Sequence, residues 1–240
     1  FIIDLLFTGF SKLIRVKTPD WKARIMEKTR PARLYTLAEE LFNSITHGIG
    51  TLLSIAALVI LVVIAARRRD VLAVVCFTIY GSSLLLLYLS STLYHALTAP
   101  RAKAVFRVLD HASINLLIAG SYTPITLLAL TPGWGWSLFG VVWGLAILGV
   151  LLNIAGLEKT RRISMALYVL MGWLVIVALK PMLAMVPAGL LYFLLAGGLF
   201  YTIGILFYAV KKIPFNHGIW HLFVLSGSIC HFTGFLLYLT

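Results

Sequence analysis

The residues best suited to chemistry are three histidines, a carboxylate and a serine, spread along an otherwise apolar chain. His217 and His221 are four residues apart, so on a helix their imidazoles share one face. Two imidazoles at that spacing can hold one metal ion, as in the zinc-binding helix of metalloproteases. Ser91 and His95 have the same spacing, and Asp110 begins another apolar run. These residue types predict a zinc site.

The chemistry predicted for such a set is metal-assisted hydrolysis. Catalytic zinc takes three protein ligands and keeps a fourth position for water, and it lowers the pKa of that water to about 7. We expect His95, His217 and His221 to be the ligands. Asp110 would hold or deprotonate the water, and Ser91 would lie one helical turn from a ligand, next to the metal.

Each part of this site has a simpler alternative. An isolated His-x-x-x-His is often coincidence, and Asp110 could merely pair with Arg107, one turn earlier. We expect His111 to face elsewhere. His231, about 15 Å along the helix from His221, is expected to form a buried hydrogen bond or line a cavity. Spacing alone leaves open whether four further residues surround the metal, start a helix or form a surface patch: Glu40, Asn43, Thr46 and His47.

Composition indicates an integral membrane protein. The chain is 61% hydrophobic and 12% charged, more apolar surface than a soluble domain of this length can bury. The net charge of +12 resides in short segments between apolar runs, which is typical of topology signals and anionic headgroups rather than nucleic acid. Cys76 and Cys230 both lie within apolar runs, so a disulfide framework is not expected.

Repeated apolar runs of about 20 residues predict an all-α fold of seven transmembrane helices in one domain, residues 41–240. Residues 1–40 form a separate amphipathic and basic segment, which we interpret as an interfacial helix with Trp21 as a headgroup anchor, or alternatively as disorder. The predicted spans are 43–66, 71–95, 109–130, 137–156, 164–185, 189–210 and 217–239.

Basic residues orient the bundle. With the N-terminus inside, sixteen of the 20 Lys and Arg residues lie in cytoplasmic segments. The main exception is the triplet Arg67, Arg68 and Arg69. The C-terminus is then outside, and we expect a multi-pass protein of the plasma (inner) membrane. In this topology the end of the second span and the starts of the third and seventh lie on the inner side, so they deliver all five candidate site residues to one layer.

Four segments carry a family resemblance: EELFNSITHGIG, SSTLYHAL, LDHASINLLIAGSYTPI and HGIWHLFVLSGSICHF. Together they resemble the progestin and adipoQ receptor superfamily, and in particular its bacterial hemolysin III branch. The resemblance runs from Glu40 to the C-terminus, with no departure at the core positions. It implies seven helices with a cytoplasmic N-terminus. It also implies a zinc ion held by His95, His217 and His221, with Asp110 near the bound water and Ser91 beside it.

The family is also similar to alkaline ceramidases, which share the Ser, Asp and His pattern and hydrolyse lipid amides. That implies a zinc-dependent hydrolase of lipid amide or ester bonds, linked to membrane lipid homeostasis, with membrane lipids as substrates or products. One alternative is a non-catalytic receptor or membrane-fluidity sensor with structural zinc. The other is a pore-forming cytolysin, which fits worst because no continuous polar stripe crosses the bilayer. The residues do not identify the substrate, the protein partners or the oligomeric state.

Overall fold

The structure is a computed structural model that describes residues 35–210 and 212–240. The interfacial helix predicted in residues 1–40, with its Trp21 anchor, lies almost entirely outside the described residues. The described part contains helices and no β-strand, as predicted. The helices are α1 (Leu37–Arg67), α2 (Val71–Ala96), α3 (Pro100–Ala129), α4 (Pro132–Gly172), α5 (Leu179–Met185), α6 (Ala188–Ala209) and α7 (Asn216–Tyr238), with a 3-10 helix over Leu174–Ala178.

Two helices begin six or more residues earlier than predicted, each for a local reason. α1 begins at Leu37 rather than 43, because Thr36 and Glu39 form a reciprocal capping box. α3 begins at Pro100 rather than 109, with proline in its first turn, where the missing N–H costs nothing. These extra turns are polar and basic. They escape a prediction based on apolar runs, yet they carry Glu40 and Lys103 to the site.

Six helical segments within the described ranges are long and apolar enough to cross a membrane. One of them, Pro132–Met185, has 54 residues, more than twice the length that a single crossing of about 30 Å needs. The predicted fourth and fifth spans both fall within it. Gly156 interrupts this stretch with φ 155° and ψ 101°, which are not helical values. Seven separate crossings stay a prediction.

The order of packing places the candidate site residues on adjacent helices. α1 packs against α2, α2 against α3 and α3 against α4, while α7 packs against both α6 and α1. The sequence α7, α1, α2, α3 is therefore a continuous row of neighbours. Faces turned outward carry residues such as Leu52, Val71 and Leu206, while the interior holds many polar groups, as expected of helices surrounded by lipid.

Two glycines let helices approach closely beside the site. A Cβ on Gly218 of α7 would overlap the ring of Phe42 of α1, and a Cβ on Gly50 of α1 would overlap the ring of Tyr88 of α2. A larger residue at either position would push α1 away from a neighbour. Close helix approach through small residues is typical of membrane bundles.

We predict that Gly156→Ala lowers the free energy of unfolding in detergent by about 1–3 kcal/mol, because an L-residue is strained at this backbone conformation. Gly144→Ala in the same helix is the control, since its added Cβ meets no atom within 4 Å and alanine favours helix. Thermal unfolding measures both. Equal stability of the two variants would contradict the strained break.

Candidate metal centre

Three buried histidines from two helices converge at one point. His95 comes from the end of α2, and His217 and His221 from the first two turns of α7. Nε2 of His217 lies 3.2 Å from Nε2 of His95 and 3.1 Å from Nε2 of His221. One ligand atom from each lies within 4.8 Å of the others, so the three residues could hold a metal ion. The structure therefore brings together the histidines that spacing selected.

The outward ring nitrogens of His95 and His221 have partners, and these partners indicate where the ring protons lie. Nδ1 of His95 lies 2.7 Å from the Glu40 carboxylate, which accepts only, so Nδ1 is the donor. The Thr46 hydroxyl donates to the backbone carbonyls of Phe42 and Asn43. Its oxygen is therefore the acceptor for Nδ1 of His221, 3.4 Å away. In both histidines the unprotonated nitrogen is Nε2, which faces the convergence point.

This arrangement leaves an electrostatic deficit that a cation would fill. The unprotonated Nε2 atoms of His95 and His221 both face Nε2 of His217. Even if that nitrogen carries the proton of His217, it can donate to only one of the two. Nδ1 of His217 is buried without a hydrogen-bond partner. Unpaired polar atoms in a dry interior cost about 1–3 kcal/mol each. The donor set and the burial thus fit a metal ion that takes imidazole ligands.

Ser91 lies one turn deeper than His95 on the same helix and is fully buried. Its Oγ has no hydrogen-bond partner, although a buried hydroxyl normally has one. In the described region, the serine that spacing placed beside the ligands therefore has a hydroxyl free for a water or a substrate atom.

Asp110 is buried in α3 and interacts electrostatically with His95 and His217. Its Oδ2 lies 3.3 Å from Nδ1 of His111, and the same nitrogen lies 2.9 Å from the carbonyl of Arg107. The suggested pairing with Arg107 is not what the structure shows, since Arg107 pairs with Glu158. Asp110 does not belong to the metal-holding group of the described residues. That Asp110 acts beside the metal rather than as a ligand stays a prediction.

A hydrogen-bond network holds the backbone next to Asp110. The carbonyl of His111 accepts from Asn153 Nδ2 at 3.0 Å and from the Tyr168 hydroxyl at 3.0 Å. Ser164 donates to Asn153 Oδ1 at 2.9 Å. Asn153 precedes the break at Gly156, and Ser164 and Tyr168 follow it. The two halves of the long α4 stretch therefore clamp α3 at the level of the site.

His47 lies at the site, and it is part of neither a helix start nor a surface patch. Its ring stacks on His221 with centroids 3.5 Å apart and planes at 14°, and it meets the edge of Tyr88. Both of its nitrogens are buried without hydrogen-bond partners. A metal lies in the plane of each imidazole that ligates it, so two stacked rings cannot share one ion well. His47 is a wall of the site.

His231 is far from the metal-holding group, as expected. Its Nε2 lies 3.4 Å from the carbonyl of Leu194 in α6, and Nδ1 is buried and unpartnered. Its ring meets the edge of Tyr201, whose hydroxyl lies 2.9 Å from Ser228 Oγ. Tyr88 donates to the same Oγ at 2.7 Å. A polar cluster thus joins α2, α6 and α7 below the histidines.

Sequence analysis does not single out Tyr35 or Lys103. The Tyr35 ring lies over His217 with centroids 4.9 Å apart and also contacts His95. Lys103 Nζ lies 2.8 Å from Glu40 Oε1. A signal for Glu40 does exist, since positions 40, 43 and 47 follow helical three- and four-residue intervals and share a face. Nothing in the local sequence marks Tyr35 or Lys103.

Comparison with known proteins gives matches over most of the chain. A family model described as "Haemolysin-III related" matches residues 35–232. "Hemolysin-3" of Bacillus cereus is 47% identical over 200 residues, covering 83% of this chain and 91% of that protein. "Hemolysin-3 homolog" of Bacillus subtilis (strain 168) is 45% identical over 205 residues, covering 85% and 96%.

A more distant relative is human "Monocyte to macrophage differentiation factor", 29% identical over 171 residues, which cover 67% of this chain and 69% of that protein. The matched residues 35–232 contain every candidate site residue and most of the described helices. With six segments fit to cross a membrane, the chain is a multi-pass membrane protein that belongs to the haemolysin-III-related family.

Proposed function

We propose that this protein is a zinc-dependent hydrolase of lipid amide or ester bonds. The observation that supports this best is the meeting of three Nε2 atoms, buried beside a carboxylate and a free serine hydroxyl. Two imidazole nitrogens on one tetrahedral zinc lie about 3.3 Å apart, given Zn–N of about 2.0–2.1 Å. The distances of 3.1 and 3.2 Å are close to this value.

The residues divide the work of hydrolysis. A zinc ion held by His95, His217 and His221 would polarise a carbonyl oxygen and make a water more acidic. Asp110 would accept a proton from the attacking water and return it to the leaving group, as a general base and then a general acid. Ser91 donates a hydrogen bond to the carbonyl oxygen of the substrate. The site lies among lipid-facing helices, so a membrane lipid is the substrate class that reaches it.

We also propose seven crossings in the plasma membrane, with the N-terminus in the cytoplasm. The stretch Pro132–Met185 would then cross twice, turning at the charged segment that follows Gly156. In this proposed topology the metal site would lie at the cytoplasmic side, with the basic segments.

Purified protein is expected to contain about one zinc per chain, because three imidazoles converge. The double variant with His217→Ala and His221→Ala should lose the metal. His231→Ala should keep it, because that histidine lies outside the metal-holding group. Elemental analysis measures all of them. Stoichiometric zinc retained in the His217→Ala, His221→Ala double variant would rule out this ligand set.

Asp110→Asn should keep zinc but lose hydrolysis, with a fall in rate of about 10²–10⁴-fold, because an amide cannot accept the proton. His95→Ala should lose both zinc and activity. The measurements are metal content and fatty-acid release from a panel of lipid amides and esters. Zinc loss in Asp110→Asn as complete as in His95→Ala would make Asp110 a ligand. A fully zinc-loaded wild type that hydrolyses nothing would favour a sensor with structural zinc.

Topology is tested by reporter fusions. An odd number of crossings with a cytoplasmic N-terminus puts the C-terminus outside. A C-terminal alkaline phosphatase fusion should therefore be active, and a C-terminal fluorescent fusion that needs the cytoplasm should be dark. The opposite pair of results would reverse the orientation and move the metal site to the outer face.

A further inference from the structure

We propose that Glu40 is a positioning residue for the metal, and that Lys103 in turn positions Glu40. The Glu40 carboxylate would hold His95 in the one orientation and tautomer in which Nε2 can ligate. This inference rests on the proposed metal site and deepens it, since it assigns a role to a residue that does not itself bind the ion.

The carboxylate is placed to hold the ring from behind. Its Oε2 lies 2.7 Å from Nδ1 of His95, while Nε2 of the same ring points to His217. The His95 side chain is fully buried and that of Glu40 is 18% exposed. When one ring nitrogen of a buried histidine is hydrogen-bonded to a carboxylate, the imidazole cannot rotate without breaking that strong hydrogen bond. The bond therefore fixes the aim of Nε2.

The same contact selects the tautomer. A carboxylate oxygen accepts hydrogen bonds, so its position at Nδ1 favours the tautomer of His95 that has its proton on Nδ1 and its lone pair on Nε2. Hydrogen bonding of the outer nitrogen to a carboxylate also makes the ligand nitrogen more basic. His221 has a neutral hydroxyl in this role, and His217 has no partner for Nδ1. Within the described part of the site, His95 is thus the ligand with a charged partner.

Lys103 holds the other oxygen of the carboxylate. Its Nζ lies 2.8 Å from Oε1 of Glu40 and donates to the carbonyl of Tyr94 at 2.8 Å. Tyr94 immediately precedes His95 in α2. The ammonium therefore ties the first turn of α3, the first turn of α1 and the last turn of α2 into one ion-paired unit.

The neighbouring glutamate provides an internal comparison. Glu39 accepts hydrogen bonds from the backbone N–H and the hydroxyl of Thr36, at 2.8 and 2.9 Å. It completes the capping box and is half-buried. Residues one apart on a helix point in different directions, so Glu40 faces the bundle while Glu39 faces away. Adjacent residues of the same type therefore have separate roles.

The experiment compares Glu40→Gln with Glu39→Gln in the full-length protein in detergent. Zinc affinity is measured by competition with a chelator, and the visible spectrum is recorded after loading with Co²⁺ to saturation. We expect Glu40→Gln to bind zinc about 10- to 100-fold more weakly than wild type and to shift the Co²⁺ bands. Glu39→Gln should match wild type in both. The metal-free forms are compared by thermal unfolding, which separates positioning from a loss of fold.

A second variant tests the role of Lys103. Lys103→Met should weaken zinc binding less than Glu40→Gln does, because the carboxylate stays in place. Adding Lys103→Met to Glu40→Gln should cost nothing more, since Lys103 is proposed to act through Glu40. Additive losses would overturn that part of the proposal.

The outcomes distinguish this inference from the metal site itself. If wild type binds zinc and Glu40→Gln binds it within twofold of Glu39→Gln, the positioning role is wrong and the metal site stands. If Glu40→Gln weakens binding only in proportion to a lower unfolding temperature of the metal-free form, the role is structural and the proposal fails. If wild type binds no zinc, the site and this inference both fall.

Discussion

The structure depends on the need of buried imidazole nitrogens for partners other than water. Each ring has two nitrogens, and both need partners away from water. For His95 and His221 the outer nitrogens meet Glu40 and Thr46, while the inner nitrogens meet one another across 3.1–3.2 Å at His217. Because the ring protons of His95 and His221 lie on the outer nitrogens, no positive charge lies where their Nε2 atoms converge. A metal cation bound there would satisfy the lone pairs of the converging Nε2 atoms.

That requirement determines how closely the helices must approach. The outer partners of His95 in α2 and His221 in α7, Glu40 and Thr46, both come from the N-terminal part of α1, so α1 must lie against both helices. Gly218 permits α1 to approach α7, and Gly50 permits it to approach α2. On the far side, Asn153 and Tyr168 hold α3 through the carbonyl of His111. Packing and site chemistry are therefore set by the same contacts.

Spacing and topology were sufficient to predict the convergence of the histidines, because alternate span ends return to one side of the bundle. The bounds of a helix were predictable wherever the helix and its apolar run end at about the same residue. The polar first turns of α1 and α3 were not, since capping at Thr36 and proline at Pro100 extend those helices beyond the apolar runs. Pairings such as Arg107 with Glu158 join residues 51 apart in sequence, and no local pattern specifies such a partner.

The placement of Asp110 bears most directly on what the site can do. Its carboxylate contacts His111 and lies outside the metal-holding group of the described residues, although it interacts electrostatically with two of the three histidines. A carboxylate that joined the group would complete a four-ligand shell of the structural kind. With Asp110 outside the group, the proposed zinc ion would have three imidazole ligands and a fourth position for water, and the Ser91 hydroxyl, one turn from His95 on α2, has no hydrogen-bond partner. The proposed hydrolysis requires such a position for a water and a carbonyl oxygen, whereas an ion with a purely structural role would not.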